Sequence, residues 1–267
     1  MGSVGCLPVA DAFYLPLGEP GRFTATTHTG GPWDAALQHG GPPSALLARA
    51  IEQHAGDWPA TVVRMAVEIL GPVPVTEVEV SCRVARTGRS VELVEAELAA
   101  AGRAAIRARA WRVRQADLDL PATVAVSDER PPLPDADTAY PEGWPGGFVH
   151  ALQMRFADGS WLEPGPATAW ARMRIPLVAG EEPSGLQRLM VLADCGNGVS
   201  NALPIGDWLF INPDLTVHLC RYPVGEWLCI DAATTADPRG FGLATSTLYD
   251  ETGPVGYGAQ SLFVGPR

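Results

Sequence analysis

Two parts of the sequence contain residues whose types and spacing suit carbonyl chemistry. Gly40 and Gly41 come directly before Pro42, and proline is favoured in the first turn of a helix, so a helix should begin here. A helix start offers free backbone N–H groups, and glycine lets a ligand carbonyl approach them closely. Asp194 falls on the inward face of a second predicted helix, where burial raises the pKa of a carboxyl group. The first part would bind an oxyanion, and the second would take a proton from water.

Each of these parts is positioned by a predicted amphipathic helix. The first helix begins at the glycines, ends at Gly56 and has an apolar face formed by Leu46, Leu47, Ala50, Ile51 and His54. The second begins after Ser184, a good N-cap residue, and is predicted to end at Gly196 and Gly198. Its inward stripe consists of Leu186, Leu189, Met190, Ala193 and Asp194.

Strand-like segments accompany both helices. Their apolar and polar residues alternate, which indicates one buried side and one solvent-facing side. Short turns separate consecutive segments, so neighbouring strands should be antiparallel. In the first half the predicted strands are 23–29, 61–70, 76–84, 90–99 and 104–114. In the second half they are 148–157, 167–176, 208–221, 226–235, 240–249 and 255–264.

The chain therefore presents one plan twice, in residues 40–114 and 184–264. A helix covered by an antiparallel sheet is a hot-dog plan, so we predict an α+β fold with two tandem hot-dog units packed side by side. The N-terminal unit would span residues 1–114 and the C-terminal unit residues 148–267. Residues 115–147 are rich in proline and polar residues and are predicted to be a linker.

The order of short motifs along both halves resembles the type II acyl-CoA thioesterases. The likeness runs from about residue 20 to the end of the chain. In the first half it rests on Gly40-Gly41, the segment 67–72, the segment 86–90 and Trp111. In the second half it rests on Asp194, Asn212, Trp227, Arg239-Gly240-Phe241 and Gln260.

This resemblance implies a double hot-dog fold and hydrolysis of acyl-CoA thioesters. The family's catalytic set is an Asp at the second helix, a Thr on the following strand and a Gln on the last strand. Asp194 and Gln260 match two of these, whereas Asn212 stands on or near the Thr position. Thr216 and Asp214 are the backup residues if that register is shifted.

The glycines take the oxyanion role in this interpretation. Gly40 and Gly41 would hold the thioester oxygen, and His39 beside them is a further candidate for substrate binding. Asp194 would act as the base or orient the water, and the amides of Asn212 and Gln260 would fix that water in attack geometry.

Composition excludes several other functions. The net charge of −11 argues against a nucleic-acid binder. All 19 basic residues are arginine, so Schiff-base chemistry and a lysine-dependent phosphate loop are excluded. The eight arginines between residues 83 and 114 would lie on solvent-facing strand surfaces, or some would contact an anionic ligand such as a nucleotide phosphate. The five cysteines have no metal-ligand spacing, and we expect no metal and no cofactor.

The remaining expectations concern location and partners. There is no apolar run of membrane-spanning length and no leader-like segment, and the cysteines are scattered, so we expect a soluble, cytoplasmic protein that contacts no membrane. Its substrate would be an acyl-CoA or acyl-carrier thioester, with a role in lipid metabolism. Sheet edges and apolar faces left open by two hot-dog units predict a homodimer or a larger homo-oligomer.

Two alternatives remain. A hot-dog dehydratase or hydratase would carry a Gly-Asp-x-Asn-Pro-x-His pattern, but Gly206-Asp207 lies too far from Asn212-Pro213 and no histidine follows at the required place. A non-catalytic protein that binds acyl thioesters is suggested by Asn212 in place of threonine.

Overall fold

A computed structural model describes residues 11–32, 34–124, 126–141, 144 and 146–267. Within these residues the helices are α1 (Gly41–Gln53), α2 (Gly185–Ala193) and α3 (Gly196–Val199). The strands are β1 (Tyr14–Pro16), β2 (Arg22–Ala25), β3 (Ala60–Ile69), β4 (Glu77–Arg86), β5 (Val91–Ala100), β6 (Arg103–Arg114), β7 (Leu152–Asp158), β8 (Ala167–Met173), β9 (Trp208–Ile211), β10 (Asp214–Leu219), β11 (Leu228–Asp237), β12 (Phe241–Asp250) and β13 (Gly253–Pro266).

The strands form one sheet in the order β1-β2-β4-β5-β6-β3-β10-β13-β12-β11-β8-β7, with β9 also paired to β13. Neighbouring strands run antiparallel, as the short turns predicted. All strands before residue 115 lie on one side of the β3–β10 ladder, and all later strands lie on the other. In this ladder Val67 pairs with Leu215.

Helices α1 and α2 pack against the sheet and against each other. α1 contacts β3, β4, β5 and β6, α2 contacts β8 and β11, and the two helices also contact each other. The apolar faces predicted for them are mostly buried, including Leu46 and Ile51 on α1 and Leu189 on α2, whereas Ala50 and His54 are only partly buried. Burial of these faces supplies most of the stability that such short helices lack in isolation.

A buried arginine closes the C-terminal end of α1. Arg112 on β6 donates from Nη1 to the carbonyl oxygens of Ile51 and His54, both at 2.9 Å. Its Nε lies 3.1 Å from Oε1 of Glu92, and both side chains are almost fully buried. These bonds satisfy carbonyl groups that a helix end leaves without partners. The helix therefore ends at Gln53, three residues before the predicted stop at Gly56.

The start of α2 agrees with the prediction, and its end differs. Ser184 is the N-cap and accepts a hydrogen bond from the N–H of Gln187 at 3.1 Å. The predicted stop at Gly196 is wrong, because α2 already ends at Ala193 and Gly196 begins α3. A Cβ atom at Gly196 would lie 2.6 Å from Oε1 of Gln260, so close packing accounts for this glycine.

Three predicted strands differ from the structure. The segment 208–221 is two strands, β9 and β10, separated at Asn212-Pro213, because proline has no N–H for a ladder. The segment 23–29 ends as a strand at Ala25 and continues in a 3₁₀ turn. The segment 148–157 becomes a strand only at Leu152, after another 3₁₀ turn. The other strand predictions are confirmed to within three residues.

The segment between the two halves packs against the core. Tyr140 and Trp144 contact the main core, and Leu133 packs on a smaller cluster that contains Trp170 and Trp227. The described part of residues 115–147 therefore contributes apolar contacts as well as a connection.

Candidate active site

Three polar side chains predicted to share a site meet at the end of α2. Asp194 is the C-cap of α2 and is 3% exposed. Nδ2 of Asn212 donates to its Oδ1 at 2.8 Å. Nε2 of Gln260 donates to the same Oδ1 at 3.3 Å and to the backbone carbonyl of Asp194 at 3.3 Å. The carboxylate is thus held by two neutral amides.

The two amides reach Asp194 for different structural reasons. Asn212 lies at the break between β9 and β10, where its Nδ2 also donates to the carbonyl of Asp214 at 3.3 Å. Gln260 lies on β13, and its Oε1 accepts the N–H of Asn197 at 3.1 Å. Because Oε1 faces that N–H, the NH₂ group must face Asp194.

The start of α1 lies against the other side of the carboxylate. Nδ1 of His39 is 3.1 Å from Oδ2 of Asp194, and the N–H of Gly41 donates to the same Nδ1 at 3.1 Å. A Cβ atom at Gly40 would lie 2.7 Å from Oδ2 of Asp194, and one at Gly41 would lie 2.5 Å from the carbonyl oxygen of Val191. Only glycine fits at these positions without displacing the end of α2.

The prolines limit which amides are free at this helix start. Pro42 and Pro43 have no N–H, and the N–H of Ser44 already bonds to the carbonyl of Gly40 at 3.1 Å. The N–H of Gly41 already donates to Nδ1 of His39, so of the two glycines only Gly40 keeps a backbone donor for a ligand. Both glycines lie at the positive end of the α1 dipole.

Burial favours the uncharged forms of both titratable groups in the site. It raises the pKa of Asp194, while His39, Asn212, Gln260 and the Gly41 N–H act in the opposite direction. It also lowers the pKa of His39, against the attraction of Asp194. The two groups lie 3.1 Å apart, so a proton on either one is within reach of the other. A carboxyl poised in this way can accept a proton and release it again.

Neighbouring residues fix the loop that carries His39. Its ring stacks on Phe148 with centroids 3.8 Å apart and planes 6° from parallel. Its N–H donates to the carbonyl of Thr29 at 2.8 Å. The preceding Gln38 accepts the hydroxyl of Tyr14 at 2.7 Å and donates to the carbonyl of Pro74 at 2.8 Å. Sequence reasoning missed Phe148 and Gln38, because nothing local in the sequence links them to His39.

The two backup residues do not contact Asp194. Oδ1 of Asp214 accepts the N–H of Ser261 at 2.8 Å. Thr216 lies within β10, paired with Ala66 and Ala259. Its neighbours Leu215 and Val217 face the core, so Thr216 faces the opposite side of the sheet. Of Asn212, Asp214 and Thr216, Asn212 is the residue whose side chain bonds to the Asp194 carboxylate.

A cavity of about 520 Å³ adjoins these residues. Its lining includes His39, Gly40, Asp194 and Asn212, but most of it is apolar. Three lining residues are also about half exposed and mark its mouth, Leu70 at 51%, Ile211 at 46% and Phe263 at 55%. The volume lies within the range of small-molecule sites.

Other kinds of site are not found in the described part of the chain. No group of three or more His, Cys, Asp or Glu side chains there lies close enough together to hold a metal ion. No helix among the same residues has both the length and the apolar character needed to cross a bilayer.

Solved structures show the same type of fold. A hot-dog-fold protein of unknown function from Alicyclobacillus acidocaldarius is similar with a TM-score of 0.72 at 16% identity, over 91% of this chain and 92% of that one. A candidate thioesterase from Novosphingobium aromaticivorans gives a TM-score of 0.71 at 18% identity, over 97% and 99% of the two chains. The acyl-CoA thioesterase II TesB2 from Mycobacterium marinum gives 0.61 at 15% identity, over 93% of each. The fold is therefore of the hot-dog type.

Family models match both halves of the sequence. The acyl-CoA thioesterase N-terminal domain matches residues 29–113, and the acyl-CoA thioesterase C-terminal domain matches residues 127–264. No curated protein matches the chain. The resemblance inferred from the motifs is confirmed, and because both domains occur in order, the chain belongs to the type II acyl-CoA thioesterase family and is a thioester hydrolase.

Proposed function

We propose that this thioesterase hydrolyses acyl-CoA by direct attack of a water molecule that Asp194 orients and deprotonates. The observation that carries the proposal is the position of a buried carboxylate, held by two amides, opposite a glycine-opened helix at one cavity. No covalent acyl-enzyme is needed, because water itself attacks the thioester carbon.

The amides have separate tasks in this mechanism. Gln260 uses its carbonyl and its NH₂ group within the protein, so it positions Asp194 and does not hold the water. Asn212 donates to Asp194, and its Oδ1 has no partner among the described residues. That oxygen is free to accept one O–H of the attacking water, while the Asp194 carboxylate accepts the other. An amide at this position therefore does the work expected of the family's threonine hydroxyl.

The reaction has two stages, addition of water and loss of CoA. Water adds to the thioester carbon and gives one proton to Asp194, within reach of His39. The negative charge that forms on the thioester oxygen is stabilised by the N–H of Gly40 and by the α1 dipole, while the N–H of Gly41 holds His39 in place. Collapse of the intermediate breaks the carbon–sulfur bond and releases CoA as a thiolate. The proton held by Asp194 then passes to that thiolate, and the carboxylate is restored.

A coupled assay tests this function. Purified protein is mixed with a panel of acyl-CoAs and a thiol reagent, and release of free CoA is followed. We expect release with the wild type and loss of release with Asp194→Asn. Tight binding of acyl-CoA without release would instead support the non-catalytic binder. A change in enoyl-thioester absorbance without CoA release would support a dehydratase or hydratase.

We further infer that the chain consists of two tandem hot-dog units, residues 1–114 and 148–267, joined by residues 115–147. The division of the sheet at the β3–β10 ladder supports this arrangement. Expression of each unit alone would test the boundaries, with folding of the isolated units read from circular dichroism.

A homodimer, a cytoplasmic location and a role in lipid metabolism stay predictions. The dimer is supported by a cross-strand row of Ile211, Phe263 and Phe241, each about half exposed, which starts at the mouth of the cavity. Such rows are frequent at protein interfaces. Light scattering at micromolar concentration tests it, and a monomer would contradict it.

A further inference from the structure

We propose that the acyl group hydrolysed by this enzyme carries an aromatic ring, which binds against an aromatic wall formed by Tyr140, Trp144, Phe148 and Trp161. This inference rests on the proposed function, because it assigns the substrate class of the same cavity. All four side chains line the cavity that contains Asp194.

The rings of the wall meet at angles. The ring of Trp161 lies 5.3 Å from that of Tyr140 at 33° and 5.3 Å from that of Trp144 at 58°. Phe156 packs edge-on against Trp161, with ring centroids 4.9 Å apart and an interplanar angle of 68°. These separations lie within the range that aromatic pairs prefer, so the cluster is well packed without a ligand.

The wall is held in place at several points. The hydroxyl of Tyr140 donates to the carbonyl of Leu152 at 2.8 Å. Phe148 is buried and stacks on His39, so the aromatic lining extends to the reactive end of the cavity. A preorganised wall of this kind loses little conformational entropy when a ligand binds.

Trp161 indicates that ring surface is the property used here. Its Nε1–H is buried and has no hydrogen-bond partner in the described structure. A buried donor without an acceptor costs free energy, and an apolar side chain at this position would avoid that cost. We therefore attribute the indole at this position to the flat ring surface that it presents, and not to hydrogen bonding by its N–H group.

The cavity also has an aliphatic lining. Ile69, Val73 and Ile106 from the first half contribute aliphatic lining. A ring on the substrate gains edge-to-face or offset contacts worth about 0.5–1.5 kcal/mol beyond its buried area. A straight chain with the same number of carbons must also lose rotation about several bonds on binding. The cavity should therefore select arylacyl over straight-chain thioesters.

Pairs of substrates matched for carbon number test this selection in the wild-type enzyme. Phenylacetyl-CoA is compared with octanoyl-CoA, and 3-phenylpropanoyl-CoA with nonanoyl-CoA, by release of CoA. We expect kcat/KM to be about tenfold higher for the ring in at least one pair, which corresponds to the upper end of an aromatic contact. Equal or higher values for both straight chains would overturn the inference and leave the proposed function standing. Absence of CoA release from all four would overturn the proposed function as well.

Two variants at one position separate ring chemistry from side-chain size. Trp161→Leu should lower the aryl-to-alkyl ratio of kcat/KM several-fold, whereas Trp161→Phe, which keeps a ring and removes the unpaired N–H, should retain most of it. Melting temperatures confirm that both variants fold. If Trp161→Leu does not fold, Trp144→Leu decides, because it removes the neighbouring indole of the wall and should also lower the ratio. An unchanged ratio in a folded Trp161→Leu would contradict the assignment of the wall.

Discussion

Asp194 and Asp250 are both buried aspartates in the second half of the chain, at 3% and 0% exposure, yet their carboxylates have different partners. Asp250 forms a two-pronged ion pair with Arg221 and accepts the N–H groups of Val224 at 3.0 Å and Thr252 at 2.7 Å. Asp194 contacts two amides and His39, whose pKa is lowered by burial, and no arginine among the described residues pairs with it.

The pKa values of the two groups shift in opposite directions. Burial alone would raise the pKa of Asp250, but Arg221, Val224 and Thr252 lower it to about 2. Burial raises the pKa of Asp194, and its neighbours only reduce that rise. Burial thus does not decide the charge state, since a cation decides it for Asp250. A buried carboxyl without a cation, beside a cavity, is the one suited to proton transfer.

The largest expected effect is on turnover. Asp194→Asn should lower kcat for acyl-CoA hydrolysis by about 10²–10⁴-fold, because it removes the base. Its stability should be equal or higher at pH 7–8, since a raised pKa makes the ionised carboxyl unfavourable as the pH rises. CoA release and urea unfolding are the measurements. A variant with wild-type kcat would remove Asp194 from the mechanism.

The corresponding substitution of Asp250 should lower the stability of the fold. Asp250→Asn leaves Arg221 without its carboxylate partner, and we expect a loss of about 3 kcal/mol in the free energy of unfolding. The kcat of the folded variant should stay within about twofold of the wild type, because Asp250 does not line the cavity.

The pH dependence of that stability has a defined sign. A lowered pKa stabilises the fold fully above the ordinary aspartate pKa of about 3.9, and this contribution is lost as the pH falls towards about 2. The difference between wild type and Asp250→Asn should therefore shrink between these values. A difference that grows on acidification would contradict this account.

A single methyl group tests the approach of α1 to Asp194. Gly40→Ala places a Cβ atom 2.7 Å from Oδ2, so the carboxylate or the loop must move. Misplacement of catalytic groups by about 1 Å can cost 10²-fold, and we expect kcat to fall by about 10–100-fold. Gly206→Ala is the control, because its Cβ would meet nothing within 4 Å. Equal activity of the two variants would show that the contact is unimportant.

The smallest expected effect concerns the amide beside Asp194. Asn212→Ala removes a hydrogen bond that favours the ionised carboxylate, so the pKa of Asp194 should rise further and the acidic limb of the kcat/KM profile should move to higher pH. At neutral pH we expect a loss of about tenfold. Asp214→Asn is the control and should leave that limb in place, and movement in both variants would point to a general structural effect.

Much of this site follows from the sequence because its parts obey local rules. The glycine-proline start of α1 and the Ser184 cap of α2 were both predictable from residue types alone. Asp194 and Gln260 were identified through family motifs. The role of Asn212 also depends on the strand break at Pro213, which alternation along 208–221 concealed. A proline inside an otherwise regular strand pattern was the signal that could have found it.

Contacts between distant segments were not predictable in this way. The predicted linker contains Tyr140 and Trp144, whose packing on Trp161 has no local signature. The stack of Phe148 on His39 joins residues more than 100 positions apart. Several arginines between residues 83 and 114, in contrast, lie where the sequence predicts them. Arg83, Arg107 and Arg109 pair with glutamates on the neighbouring strand, in agreement with the solvent-facing alternative, whereas Arg112 is buried and departs from it.

The β3–β10 ladder has a consequence for how the enzyme would fail. Asp194, Asn212 and Gln260 are all held by elements of the second half, whereas His39 and the α1 glycines belong to the first half. Slippage between the halves would draw His39 and the α1 glycines away from the carboxylate, while Asn212 and Gln260 would stay with it, since β9 and β10 both pair with β13. Mild heat or denaturant should therefore abolish turnover before either half loses its secondary structure. Loss of activity would then report loosening of the β3–β10 ladder.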